Sequence, residues 1–274
     1  MEKEYVDKLK VLADLEETLF GNDSSCFRNR NEYHTALRRW GDEQRKLRIL
    51  KMRDDTSLLV DTGKEYYEQY IQLLKLTVGS SHEDLQRVLQ LFSDGIDFHG
   101  MELDRYAVGS DHGYCHKLYL RSTPEEEILN LVPRGPEILD QIKVSWSPWG
   151  VWEAYLLYAA KDWIYLHWHA NYAANDIVCQ DTYQHVVPAP WMSMIGKSTI
   201  ASPSLAEGYN IPYPSVRMTD DTALIHYVCH MQHSNKYVDR YVVVSRKGDS
   251  AHFDVCDEPN KKILNVSPVS HVCY

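Results

Sequence analysis

Histidine is the side chain whose number and spacing here invite chemistry, with thirteen in a chain of 274 residues. Two pairs stand out, His167 and His169 in Leu166-His167-Trp168-His169, and His226 and His230 in His226-Tyr227-Val228-Cys229-His230. An extended chain turns successive side chains to opposite faces, so each pair falls on one face of its strand. Imidazoles brought together from neighbouring strands suit zinc or non-haem iron, ions that take two to four nitrogen or carboxylate ligands. Four such ligands would make a metal-dependent hydrolase or oxygenase. Against that reading, thirteen histidines produce paired spacings by chance, half-exposed sheet faces accommodate them, and no acidic residue follows His169 at the usual short spacing.

Other motifs are weaker. A polar, glycine-rich stretch carries Asp97, His99, Asp111, His112, Cys115 and His116, and a Cys115 nucleophile would need a histidine base that nothing in the spacing identifies. Gly196-Lys197-Ser198 has the ending of a phosphate-binding loop, but position 191, where that loop needs glycine, is tryptophan. There is no nucleophile elbow, dinucleotide fingerprint, HExxH helix or calcium-binding loop.

Aromatic residues form the third signal. Trp146, Trp149, Trp152, Tyr155, Tyr158, Trp163, Tyr165, Trp168 and Tyr172 crowd one short stretch. They read either as a core that faces a helical layer or as an exposed platform. In the second case Trp149, Trp152, Tyr155, Trp163 and Tyr165 would meet a protein partner, because Trp and Tyr combine large apolar area with a polar tip.

The elements that would position these groups follow from apolar periodicity. Four helices are expected by Gly95: Met1 to Phe20, about Glu32 to Arg53 with Gly41 as a weak point, a third after Thr62-Gly63-Lys64, and a fourth opened by Ser81 and stopped by Gly95. Thr123-Pro124 opens a short helix, and Lys117 to Leu120 reads as a strand. Beyond Val144 the residues become β-branched and aromatic. Val151 to Ala159 and Trp163 to Tyr172 read as a hairpin, and Thr222 to Met231, Tyr237 to Ser245 and Ser250 to Cys256 as a meander. The fold class is α+β, with an N-terminal helical layer or bundle followed by an antiparallel sheet. Its regions are 1–95 helical, 96–143 mixed and connecting, and 144–274 β-rich.

The net charge of −10 argues against general nucleic-acid binding, since a phosphate backbone attracts a positive face. Charge is nevertheless uneven: Arg28 to Arg53 holds nine basic and three acidic residues. That stretch reads as a solvated helix face paired with the acidic remainder, or as a dock for an acidic partner. No apolar run has the length of a membrane helix, and the charged opening Met1-Glu2-Lys3-Glu4 is unlike a signal peptide. A cytoplasmic location without membrane association is expected. The combined expectation is an acidic binding protein that sequesters or neutralises a macromolecular partner, as an immunity protein, antitoxin or inhibitor does. The metal enzyme is the alternative.

Six cysteines lie far apart with no CxxC pair, the pattern of reduced thiols rather than a disulfide framework. Thiol titration of the purified protein in denaturant should find all six. Three disulfides instead would remove the reducing-compartment assignment.

Overall fold

Ser147-Pro148 sets the centre of the architecture, because the Ser147 hydroxyl accepts the Gly150 amide proton (3.1 Å) and proline fits the first helical position. A helix follows where a strand is expected: Pro148–Trp163 is helical. The hairpin expectation for Val151 to Ala159 is therefore corrected. Alternation carries no information in a segment this uniformly apolar, and burial on every side selects the conformation that satisfies its own backbone. Val151, Trp152, Ala154, Leu156 and Leu157 are all at most 1% exposed. The other half of that hairpin lies outside the described residues from 164 onward.

The structure is a computed structural model. It describes residues 2–21, 27, 29–77, 82–92, 94–98, 102–110, 113–121, 142–163, 175–184, 203–231 and 236–264. In chain order these hold helices α1 (Glu2–Phe20), α2 (Arg30–Asp54), α3 (Lys64–Thr77), α4 (His82–Leu91) and α5 (Pro148–Trp163). The strands are β1 (Val60–Thr62), β2 (Ile96–Asp97), β3 (Glu102–Ser110), β4 (Gly113–Arg121), β5 (Lys143–Val144) and β6 (Asn175–Val178). They continue with β7 (Ser204–Leu205), β8 (Ser215–Met218), β9 (Thr222–Met231), β10 (Lys236–Lys247), β11 (Ser250–Pro259) and β12 (Ile263–Leu264). The α+β class is as expected, with the helices leading and the antiparallel meander following. The helix expected at Thr123 lies outside the described residues.

Two compact units divide the chain, residues 1–59 and 60–274. In the first, α2 runs unbroken through Gly41, and Asn29 caps it by accepting from the Asn31 and Glu32 amides (2.9 and 3.0 Å). Leu12, Leu15, Ile49, Leu50 and Met52 are buried. Glu43 accepts from Lys46 (2.8 Å) and Lys8 (3.3 Å), and these two hold its carboxyl below the ordinary carboxylate range, Lys46 the more strongly. The basic stretch thus finds acidic partners within α2 itself, Arg45 with Asp42, Lys46 with Glu43 and Arg53 with Asp54. Residues 1–59 contain twelve acidic and twelve basic side chains, so the net charge of −10 falls entirely on residues 60–274.

In the second unit an antiparallel sheet runs β1-β8-β9-β10-β11, with β6 also paired to β9. One face carries Ala223, Ile225, Tyr227 and Cys229 of β9 with Val238, Val242 and Val244 of β10, packed with α5 and with Tyr66, Tyr70 and Leu73 of α3. The other face holds a smaller cluster around Val178, Tyr183, Ile211, Val228, Tyr237 and Ile263. Among the described residues no helix is long and apolar enough to cross a membrane.

Replacing Trp152 with alanine should cost about 3–5 kcal/mol, because an indole with no exposed surface leaves a cavity that its neighbours cannot close. Leu59→Ser, at a side chain 90% exposed, should shift stability by about 0.5 kcal/mol or less. Urea unfolding of both variants gives the comparison.

Candidate functional site

The histidine pairs do not assemble among the described residues. His167 and His169 lie outside them. His226 and His230 both occupy β9, on the face that also carries Val228 and is opposite Tyr227 and Cys229. Four residues along a strand separate them by about 13 Å, beyond the reach of two imidazoles to one ion. Each is instead committed to a neighbouring strand. His226 places Nε2 3.0 Å from Asp239 Oδ1 and stacks on Tyr241, while His230 sets Nδ1 3.9 Å from Asp176 Oδ2 and lies against Tyr237. The four-histidine zinc or iron site expected from His167, His169, His226 and His230 rests on two residues outside the described set. Among the described residues no group of three or more histidine, cysteine or acidic side chains is placed to hold a metal.

The aromatic platform is corrected in part. Trp152 and Tyr155 are 0% and 2% exposed and belong to the core. Trp149 is half-buried with its ring edge-on to Tyr66 (5.2 Å). Trp163 closes α5, its side chain outside the described set, and Tyr165 lies beyond it. The buried tyrosines keep their polar tips partnered: Tyr155 Oη is 2.5 Å from Tyr227 Oη, and Tyr237 Oη donates to Tyr183 O (3.1 Å). Burial pushes the Tyr155 phenol up to about 12, with the Arg240 charge acting against the rise. Arg240 itself forks onto Asp257, Nε to Oδ1 at 2.6 Å and Nη2 to Oδ2 at 2.7 Å. These groups satisfy one another.

Among the described residues, Glu153 of α5 and Gln69 of α3 form a buried polar pair that is only partly satisfied. Glu153, two residues before Tyr155 and so on nearly the opposite side of α5, is 0% exposed. Its Oε1 accepts from Gln69 Nε2 of α3 at 2.6 Å, whereas its Oε2 and Gln69 Oε1 have no hydrogen-bond partner. Desolvation pushes the carboxyl up to about 7 against the lowering effect of Gln69, the Gly95 amide and Trp149, and the like charge of Asp94 adds to the rise. The Gly95 N–H itself donates to Phe92 O (3.3 Å).

Glu153 lies behind the wall of a cleft. Gly95 presses its Cα against α5, since a Cβ there would meet Glu153 Oε2 and come within 2.5 Å of Gly150 Cα. Its carbonyl accepts the Ser145 amide (2.8 Å), and β2 pairs β5 with Ile96 opposite Val144. The Val144 amide donates to Asp249 O (2.8 Å), so the β10–β11 turn closes the far side. Between these backbones opens a space of about 600 Å³, lined by Asp94, Asp97 and Asp249 with Lys143 as its basic member. The Lys143 ammonium lies 4.0 Å from Asp249, and both side chains are more than half exposed. Three acidic residues and one lysine thus lie among apolar and small residues along the cleft, giving its lining a net negative charge.

The chain matches no protein-family model, no curated protein and no solved structure, so its site is read from its own geometry. Sequence reasoning missed Glu153, Gln69 and the cleft. A lone acid in an otherwise apolar run from Val151 to Ala159 was the available signal.

A carboxyl raised from 4.5 to about 7 binds its proton to higher pH in the fold than in the unfolded chain. The native state then holds more protons between those values, so stability falls as pH rises through that window, by about 3 kcal/mol in full. Glu153→Gln should flatten this part of the stability-against-pH curve and leave the variant the more stable form above neutrality. Denaturant unfolding from acid to mildly alkaline pH reads both effects.

Proposed function

We propose that the protein is an acidic binding protein that sequesters or neutralises a basic macromolecular partner, the role of an immunity protein, antitoxin or inhibitor. The observation that carries this reading is the cleft lined by Asp94, Asp97 and Asp249 on the unit that holds all of the net negative charge. A lysine or arginine on the partner's surface enters the cleft, and the wider negative field speeds its approach and sets its orientation. Lys143 at the rim limits the attraction, so a partner with one or two well-placed cations is preferred to a uniformly basic chain. Binding of this kind blocks the partner's own basic site by covering it and needs no chemistry from the cleft.

The test is affinity capture from the producing cells, followed by measured binding of the captured protein to the wild type and to the Asp94→Asn/Asp97→Asn/Asp249→Asn variant. A basic partner held at one-to-one stoichiometry should bind the variant at least about tenfold more weakly, and lose affinity as salt is raised. Equal binding by both forms would overturn the assignment of the cleft.

A further inference from the structure

We infer that Glu153 is a proton-operated latch on the wall of the cleft, holding the Gly95 turn closed when protonated and releasing it when ionised. An oxygen-to-nitrogen contact of 2.6 Å between Glu153 and Gln69 is short for an N–H···O bond and normal for an O–H···O bond. A half-turn of the Gln69 amide exchanges its two ends. A protonated Glu153 then donates to Gln69 Oε1, while Gln69 Nε2 gives up its long contact with Leu91 O (3.5 Å). Oε2 has no hydrogen-bond partner in either state, so the neutral acid leaves an uncharged carbonyl in a space with no exposure to water, where the ionised form would leave an uncompensated anion.

Burial and the acidic Asp94 of the α4–β2 turn favour the same state, and the Gln69 amide of α3, the Gly95 amide and the Trp149 indole of α5, which favour the anion, offset them only in part. Lys143 of β5, the cleft's basic member, is drawn to Asp249 (4.0 Å). Ionisation releases the proton to water and leaves a buried anion facing a second anion. Relief requires water to reach Oε2, and the contact with Gly95 Cα stands in the way. Movement of that turn carries Asp94, Ile96 and Asp97 with it, because Gly95 is joined to them and its carbonyl holds Ser145. Proton loss at Glu153 therefore reshapes the cleft, whether or not a partner occupies it.

Amide hydrogen exchange on the full chain, corrected for intrinsic rates, tests this without any ligand. Between about pH 5.5 and about pH 8.5 protection of the Gly95, Ile96 and Asp97 amides should fall at least about tenfold in the wild type and stay level in Glu153→Gln. In parallel, the carbon-13 signal of the Glu153 side-chain carboxyl in unaltered protein should titrate in the neutral range. A titration near the ordinary 4.5 overturns the inference, as does a neutral titration with no loss of protection or an equal loss in Glu153→Gln. If that variant does not fold, the carboxyl signal and the wild-type exchange decide by themselves.

Discussion

Burial of α5 from all sides is the constraint on which the second unit depends. A helix whose residues Val151 to Leu157 are almost wholly removed from water needs a layer on each side. The sheet supplies one through Tyr227, Cys229 and Val242, and α3 supplies the other through Tyr66, Tyr70 and Leu73. Hydrophobic burial at roughly 25 cal/mol per Å² favours such enclosure, and each polar atom drawn in must find a partner or raise the free energy of the fold. The Trp152 indole meets that demand by donating to Tyr66 O (3.1 Å), and Tyr155 by its contact with Tyr227. Glu153 meets it only by half. The unusual chemistry of the unit thus descends from its main packing requirement.

Close approach adds a second demand. Gly95 lets the α4–β2 turn rest on the first turn of α5, where a Cβ would meet Glu153 and Gly150, and Gly150 leaves room for the Ser145 carbonyl. That contact brings Asp94 and Asp97 to the same opening as the β10–β11 turn, so backbone proximity assembles the acidic cleft from three separate stretches of chain. Charge segregation follows the division into units. Residues 1–59 are internally neutral, with Glu43 accepting from lysines on both helices, and the acidic excess belongs to the unit that contains the cleft.

Much of the fold was legible where a single period dominated. The apolar spacing of α1 to α4 and the alternation of β9, β10 and β11 fixed those elements to within a few residues, helped by Gly63, Gly95 and the Gly248-Asp249 turn. The segment from Pro148 to Trp163 was misread because a run that is apolar everywhere has no readable period, and its β-branched and aromatic residues imitate a strand. The candidate site was hardly legible at all. Asp94, Lys143 and Asp249 are far apart in sequence and ordinary in type, and only tertiary structure brings them together. His226 and His230 were placed correctly on one face of β9, yet face and proximity are different quantities, and the strand's rise keeps them apart.

An apolar helix in an apolar sleeve has many rotations of similar hydrophobic free energy, so burial alone leaves its azimuth undefined. The hydroxyl contact between Tyr155 and Tyr227 and the carboxyl contact between Glu153 and Gln69 point to nearly opposite sides of α5. Together they act as two pins through a shaft. Turning the helix by one residue, about 100°, would strand both polar groups in hydrocarbon at once. The same few polar atoms that weaken the core in simple energetic terms select one orientation from a set that packing leaves nearly degenerate.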